Sequence, residues 1–288
     1  MACRFCHREG TSFDGADIDA KFLLDVVGRM YELGFRKFKL MGGEPMLYPQ
    51  IGYVVSELRR LIGDSDLSMI SNGSAASAQY EELFVLGMDR LNISVHGWGA
   101  EFFSMNTKCP AEMGNKIRQT IIELAEKRRI GKLNYVVKRG GNEEDFISLL
   151  NFARERDLVV DALNLLELTG GEIGDGIRYS MSEIQSLICS RFEVLEAIEI
   201  QHKYGFPSKR LRLVGGGEVN LKVSQLNQAM VFNACSDCRK WKYCVEGIKA
   251  LRLMPSGVLQ PCLMREDNVL DLNQYPTLNA LEVYLKAL

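Results

Sequence analysis

A chain of 288 residues, 47% apolar and 25% charged, can bury a large core as one large domain or two smaller ones. Its net charge of −2 gives no push toward nucleic acid or a membrane surface, and no apolar run reaches the length of a membrane span. The start of the chain shows no signal-peptide pattern, so a cytoplasmic, reducing compartment is expected.

Residues 17–33 place Phe22, Leu23, Val26, Val27, Met30 and Leu33 at helical spacing, and Gly34 closes that run. Residues 37–41 predict a short strand running into the Gly42–Gly43 turn. Helices are expected over 53–62, 80–86, 113–129 and 143–156, and strands over 67–70, 90–95, 132–137 and 159–168. Residues 178–200 read as a helical connection. From about Leu211 onward the chain carries a second group of cysteines, with short β-like runs at 250–254 and 258–259. Alternating strands and helices predict parallel β/α units, whose sites form at the carboxyl ends of the strands. Residues 42–45, 71–73, 94–96 and 139–142 all fall at such ends.

The eight cysteines are clustered rather than spread as a disulfide framework would be. Cys3 and Cys6 form a C-x-x-C pair followed at once by His7. Thiolates at that spacing can converge on one soft metal or one iron–sulfur cluster. The pair also suits half a zinc site, a redox dithiol or, with His7, a c-type haem attachment, which would need an oxidising export route. Cys235, Cys238, Cys244 and Cys262 form the second set, and a four-cysteine zinc site would use the same ligands. Cys109 and Cys189 stand alone and read as small packing residues.

The run CRFCHREG, followed by a helix, a strand and Gly42-Gly43-Glu44-Pro45, resembles the radical S-adenosylmethionine (SAM) superfamily. Within it the chain is most similar to the GTP 3′,8-cyclases of molybdenum cofactor biosynthesis, from Cys3 to about Arg265. The resemblance implies an α/β fold, an open (β/α)6 barrel over residues 1–200, and a small auxiliary iron–sulfur domain over 201–288. The family pattern has a further cluster cysteine and a first barrel strand, both of which would lie ahead of Met1. The chain as written is therefore expected to be truncated, with two of three cluster ligands.

The resemblance also implies roles. Cys3 and Cys6 would help hold a [4Fe–4S] cluster, whose electron cleaves SAM to a 5′-deoxyadenosyl radical that abstracts hydrogen from the substrate. Phe5 would lie beside the adenine. Gly42, Gly43, Glu44 and Pro45 would engage the methionyl amino group, Asn72 stands in a strand-end S-N-G, and Ser94 would contact the ribose. Lys37, Lys39 and Lys132 match basic positions of the cyclases, and Arg139 is a further cation near the mouth. His96 stands where the cyclases carry an acid. Arg252 matches one arginine of an R-x-R strand, whose other position is Ala250, and Asn164 replaces an arginine of the last barrel strand. Cys235, Cys238, Cys244 and Cys262 would bind an auxiliary [4Fe–4S] cluster, Cys244 giving a spacing that resembles SPASM/Twitch domains. The partners implied are a small-molecule substrate, a nucleotide or another polar molecule, and an external electron donor, with no nucleic acid and no membrane. A SPASM/Twitch-type enzyme acting on a peptide or another metabolite, and an inactive iron–sulfur or zinc-binding protein, remain alternatives.

Overall fold

The computed structural model describes residues 17–163, 178–201, 207–222, 235–238, 250–262, 265, 267–275 and 277–287. It opens with helix α1 (Ala20–Glu32), started by Asp19, whose carboxylate accepts from the Phe22 amide at 2.8 Å. There follow β1 (Lys37–Leu40), α2 (Ile51–Ile62), β2 (Asp66–Ser71), α3 (Ser77–Val85) and β3 (Arg90–Val95). Then come α4 (Ala100–Thr107), α5 (Ala111–Glu126), β4 (Ile130–Val136), α6 (Glu143–Glu155) and β5 (Val159–Leu163). Strands β1 to β5 pair in parallel and in sequential order, as the β/α alternation predicts.

Sequential order has a consequence for packing. Right-handed crossovers between neighbouring strands put all the connecting helices on one face of the sheet. That face is apolar: Leu67, Met69, Leu91, Ile93, Leu133 and Val160 are fully buried with Leu58 of α2, Leu124 of α5 and Phe146 of α6. The residues between them point the other way and are mostly polar. The strands alternate because only one of their faces is covered by helices.

The expected helical connection over 178–200 is corrected. Helix α7 occupies only Met181–Arg191, started by a Ser180/Glu183 capping box, and β6 takes Val194–Ile200. The run Val-Leu-Glu-Ala-Ile-Glu-Ile finds an antiparallel partner in β7 (Ser208–Leu213), and this pairing overrides helix propensity. A turn through Gly215, Gly216 and Gly217, all at positive φ, returns the chain as β8 (Glu218–Lys222). Strand β8 pairs with β7 on one side and runs parallel to β5 on the other. The large sheet thus has the order β1-β2-β3-β4-β5-β8-β7-β6 and continues past residue 200.

A second, three-stranded sheet holds β9 (Arg252–Leu253), β10 (Val258–Gln260) and β11 (Leu270–Asp271), followed by α8 (Leu278–Ala287). Leu259, Leu272 and Leu281 pack with Val26 and Met30 of α1. Helix α1 therefore ties the C-terminal segment to the large sheet. No helix among the described residues is long and apolar enough to cross a membrane.

Candidate functional site

The turn after β1 and the end of β2 are joined by one carboxylate. Glu44 Oε1 accepts from Ser71 Oγ at 2.7 Å and from the Met46 amide at 3.1 Å, and Oε2 accepts from the Asn72 amide at 2.7 Å. Ser71 has a single proton, and it goes to Glu44. Its oxygen therefore accepts from the Tyr80 hydroxyl at 2.6 Å and from the Gly73 amide at 3.1 Å. Tyr80 is fully buried on α3, and burial pushes its pKa up to about 12. Asn72 turns its side chain back to accept from the Ser74 amide at 2.8 Å, an Asx turn. Gly42 and Gly43 stand exposed, and a Cβ on either would meet nothing within 4 Å among the described residues. Pro45 is buried at the start of a short 3₁₀ turn. The backbone of the turn is thus open, while its acid is held fast.

The loop after β3 is clamped from below. Asp145, 4% exposed at the start of α6, accepts from the Trp98 amide at 2.7 Å, the Gly99 amide at 2.6 Å and the Tyr135 hydroxyl at 2.6 Å. Burial, with the Asp145 charge beside it, raises the Tyr135 phenol well above the usual tyrosine range. A Cβ on Gly97 would come within 2.2 Å of the Phe103 amide nitrogen, so the loop lies directly on α4. Asn106 of α4 donates to the His96 carbonyl at 2.6 Å and accepts from Lys138. Ser94 is half-buried on the last turn of the strand before this loop, and burial pulls the His96 imidazole down to about 4. His96 is therefore neutral at physiological pH.

The uncovered face of the large sheet carries a polar band. In register, Ser94 lies beside Asn134, Asn134 beside Asp161, Asp161 beside Asn220, and Asn220 beside Arg210. Asn220 donates to Asp161 Oδ1 at 2.9 Å and accepts from Arg210 at 3.2 Å, while Lys132 is ion-paired with Asp161. Nearer the start of the strands, Arg90 binds Asp66 at 3.0 Å, and Lys39 lies beside Ser68. Loss of hydration lowers the Lys39 ammonium pKa, and the nearby Lys132 and Arg90 cations add to the effect. Lys37 is exposed beside Asp66, one alternation before Lys39.

The expected site residues therefore divide into groups. Gly42 to Pro45, Asn72 and Ser94 come together at the carboxyl ends of β1, β2 and β3, and Lys37, Lys39 and Lys132 share the polar face. Arg139 is turned elsewhere: it binds Glu183 at 2.6 Å and lies over the Tyr179 ring, bracing the start of α7. Arg252 is half-buried beside Gln260 in the small sheet. Cys235 and Cys238 share one turn, with the Cys238 amide donating to the Cys235 carbonyl at 3.1 Å, and Cys262 is 7% exposed just after β10. No group of three His, Cys, Asp or Glu is gathered for a metal ion among the described residues. Cys3, Phe5, Cys6, Asn164 and Cys244 lie outside the described residues.

Arg90, Asn92, Asn134, Asp161, Arg210 and Asn220 were not anticipated. For all but Arg210 the signal is present in RLNISV, KLNYVV, VVDAL and EVNLK, where a polar residue interrupts apolar runs at period two. The Tyr80 and Asp145 contacts had no local signal, since each joins elements far apart in sequence.

Comparison with known proteins places this geometry. The radical SAM superfamily profile matches residues 1–153, more than half of the chain. A probable GTP 3′,8-cyclase of Sulfolobus acidocaldarius is 28% identical, covering 95% of this chain and 80% of its own. A GTP 3′,8-cyclase of Pseudomonas putida is also 28% identical, over 85% of this chain and 72% of its own. In fold, the chain is similar to Streptococcus suis SuiB bound to S-adenosylmethionine, with a TM-score of 0.60 at 14% identity. That match covers 97% of this chain but only 62% of the SuiB chain.

Proposed function

The chain belongs to the radical SAM superfamily, and from that premise we propose that it abstracts hydrogen from a nucleotide or another polar small molecule. It is an enzyme with similarity to the lyase-like GTP 3′,8-cyclases. The observation that carries the reading is the open Gly42–Gly43 backbone beside a fixed Glu44, at the strand ends that also hold Asn72 and Ser94. Those groups fit SAM: bare backbone allows close approach, and a carboxylate with an open lone pair suits an amino group.

Cys3 and Cys6 would be two of the three thiolates that hold the [4Fe–4S] cluster, with an external electron donor supplying its electron. Cluster and SAM together supply one-electron cleavage and hydrogen abstraction. The protein's own part is to bind and orient. Phe5 would lie against the adenine and Ser94 would donate to the ribose. Lys37, Lys39 and Lys132 would attract an anionic substrate, and the asparagines of the polar band would fix its orientation. Arg252 would bind substrate from the small sheet. Arg139, spent on Glu183, would act on the substrate only if that pair opened. Cys235, Cys238, Cys244 and Cys262 would be the ligands of an auxiliary [4Fe–4S] cluster, and four ligands would leave it no vacant iron for a base. Binding would have to draw Cys235, Cys238 and Cys262 together, since among the described residues they form no metal-binding group.

One feature favours a second reading, a SPASM/Twitch-type enzyme acting on a peptide or other metabolite. Asp161 neutralises Lys132, so the polar face is of mixed charge rather than a triphosphate cradle. Ala250 and Asn164, in place of arginines, point the same way.

Anaerobic reconstitution with formation of 5′-deoxyadenosine tests the assignment. Cys3→Ala or Cys6→Ala should abolish it and Cys189→Ala should leave it intact. Undiminished cleavage in the Cys6 variant would overturn the site. GTP titration of the same protein separates the two substrate readings.

A further inference from the structure

Tyr80 has no need to be a tyrosine for packing. It lies fully buried among Leu83, Leu91 and other core residues, where a phenylalanine would fill the same space without a polar group to satisfy. Its hydroxyl instead reaches Ser71 Oγ at 2.6 Å. Ser71 donates its single proton to Glu44, so its oxygen accepts the Tyr80 proton as well as the Gly73 amide. The Glu44 carboxylate offers about four acceptor positions. Ser71, the Met46 amide and the Asn72 amide take three, two on Oε1 and one on Oε2. One position on Oε2 remains.

We propose that Tyr80 is a positioning residue for SAM: through Ser71 it fixes Glu44 so that the open lone pair of Oε2 receives one N–H of the ligand's amino group. The inference rests on the reading of Glu44 given above. Successive hydrogen bonds of one sense polarise each other, so the effect of the Tyr80 hydroxyl reaches Glu44 without touching the ligand. Loss of that hydroxyl frees the Ser71 proton to turn and Glu44 to rotate.

The test is a cycle of variants against ligands on the anaerobically reconstituted protein, read by calorimetry. The ligands are SAM and an analogue in which hydrogen replaces the amino group. Tyr80→Phe is expected to weaken SAM about tenfold, the worth of one hydrogen bond in a charged network, and the analogue less than about twofold. Ser71→Ala breaks the same relay from the other side of the hydroxyl and should show the same selectivity, which guards against a folding defect in one variant. Equal weakening of both ligands would make Tyr80 a packing residue and overturn the inference, as would unchanged SAM affinity. Glu44→Gln separates the two claims. If it abolishes the preference for SAM over the analogue while Tyr80→Phe preserves it, the relay is wrong and the Glu44 reading stands. If Glu44→Gln preserves that preference, the Glu44 reading itself falls.

Discussion

The two faces of the large sheet are built from the same strands and do opposite work. On the helix-covered face, alternate residues such as Leu91, Ile93 and Leu133 are fully buried and hold the fold. On the other face, Asn92, Ser94, Lys132, Asn134 and Asp161 sit one residue away and present polar side chains, with Lys132 paired to Asp161. A parallel sheet covered by helices on both sides would have apolar residues at both sets of positions. The polar set lies on the face without helices, where the proposed ligand site falls, and its period-two polarity is readable in the strands themselves.

The largest break in this contrast should come from the hinge between the faces. Asp145→Ala would leave two amides and the Tyr135 hydroxyl unpaired below the His96 loop. A loss on the order of 3–5 kcal/mol is expected, seen as a collapse of the urea midpoint. Next is the covered face alone: Ile93→Ala should cost about 3 kcal/mol through lost burial and the cavity left behind. A cost below about 1 kcal/mol would mean that this face is not the core.

On the polar face the expected signature is reversed. Asp161→Asn keeps the shape but frees Lys132 from a mostly buried pair whose loss should cost on the order of 1–2 kcal/mol. GTP binding, by contrast, should strengthen, on the order of tenfold, because Lys132 gains its full charge for a phosphate. Unchanged GTP affinity by calorimetry would show that Asp161 does not set the charge of the pocket.

His96 gives a pH-dependent version of the comparison. Its folded-state pKa, near 4, lies below the ordinary 6.5 because burial penalises the imidazolium. The unfolded chain therefore takes up a proton first as pH falls. The contribution is fully present above 6.5 and is lost progressively between 6.5 and 4. Urea midpoints across that range should fall less steeply in His96→Asn, and an identical slope would remove His96 as the cause. The smallest effect belongs to Arg139→Ala: its pair with Glu183 is exposed on both sides, so the urea midpoint should not move measurably.

The local elements of the barrel were legible because they rest on short-range physics. Helical spacing places α1, the strand-end turns at Gly42 and Gly73 mark the ends of β1 and β2, and the cysteine and GGEP motifs carried the superfamily. Helix α4 was missed because AEFFSMNT has no clear apolar stripe, and it forms by lying on the Gly97 loop. Strand β6 was read as helix because its alternation stabilises nothing until β7 lies beside it.

What only the tertiary structure decided are the partnerships between distant residues. Sequence placed Lys132 near a strand end, but the register of β4 with β5 brought Asp161 to neutralise it. It named Glu44 as a ligand acid, while the pairing of β1 with β2 supplied Ser71 and Tyr80 to hold it. It offered Arg139 for the site, and the approach of α7 claimed that side chain for Glu183. Each outcome depends on which charges and hydroxyls meet across strands, and hydrogen bonds and ion pairs depend on distances that no local pattern encodes.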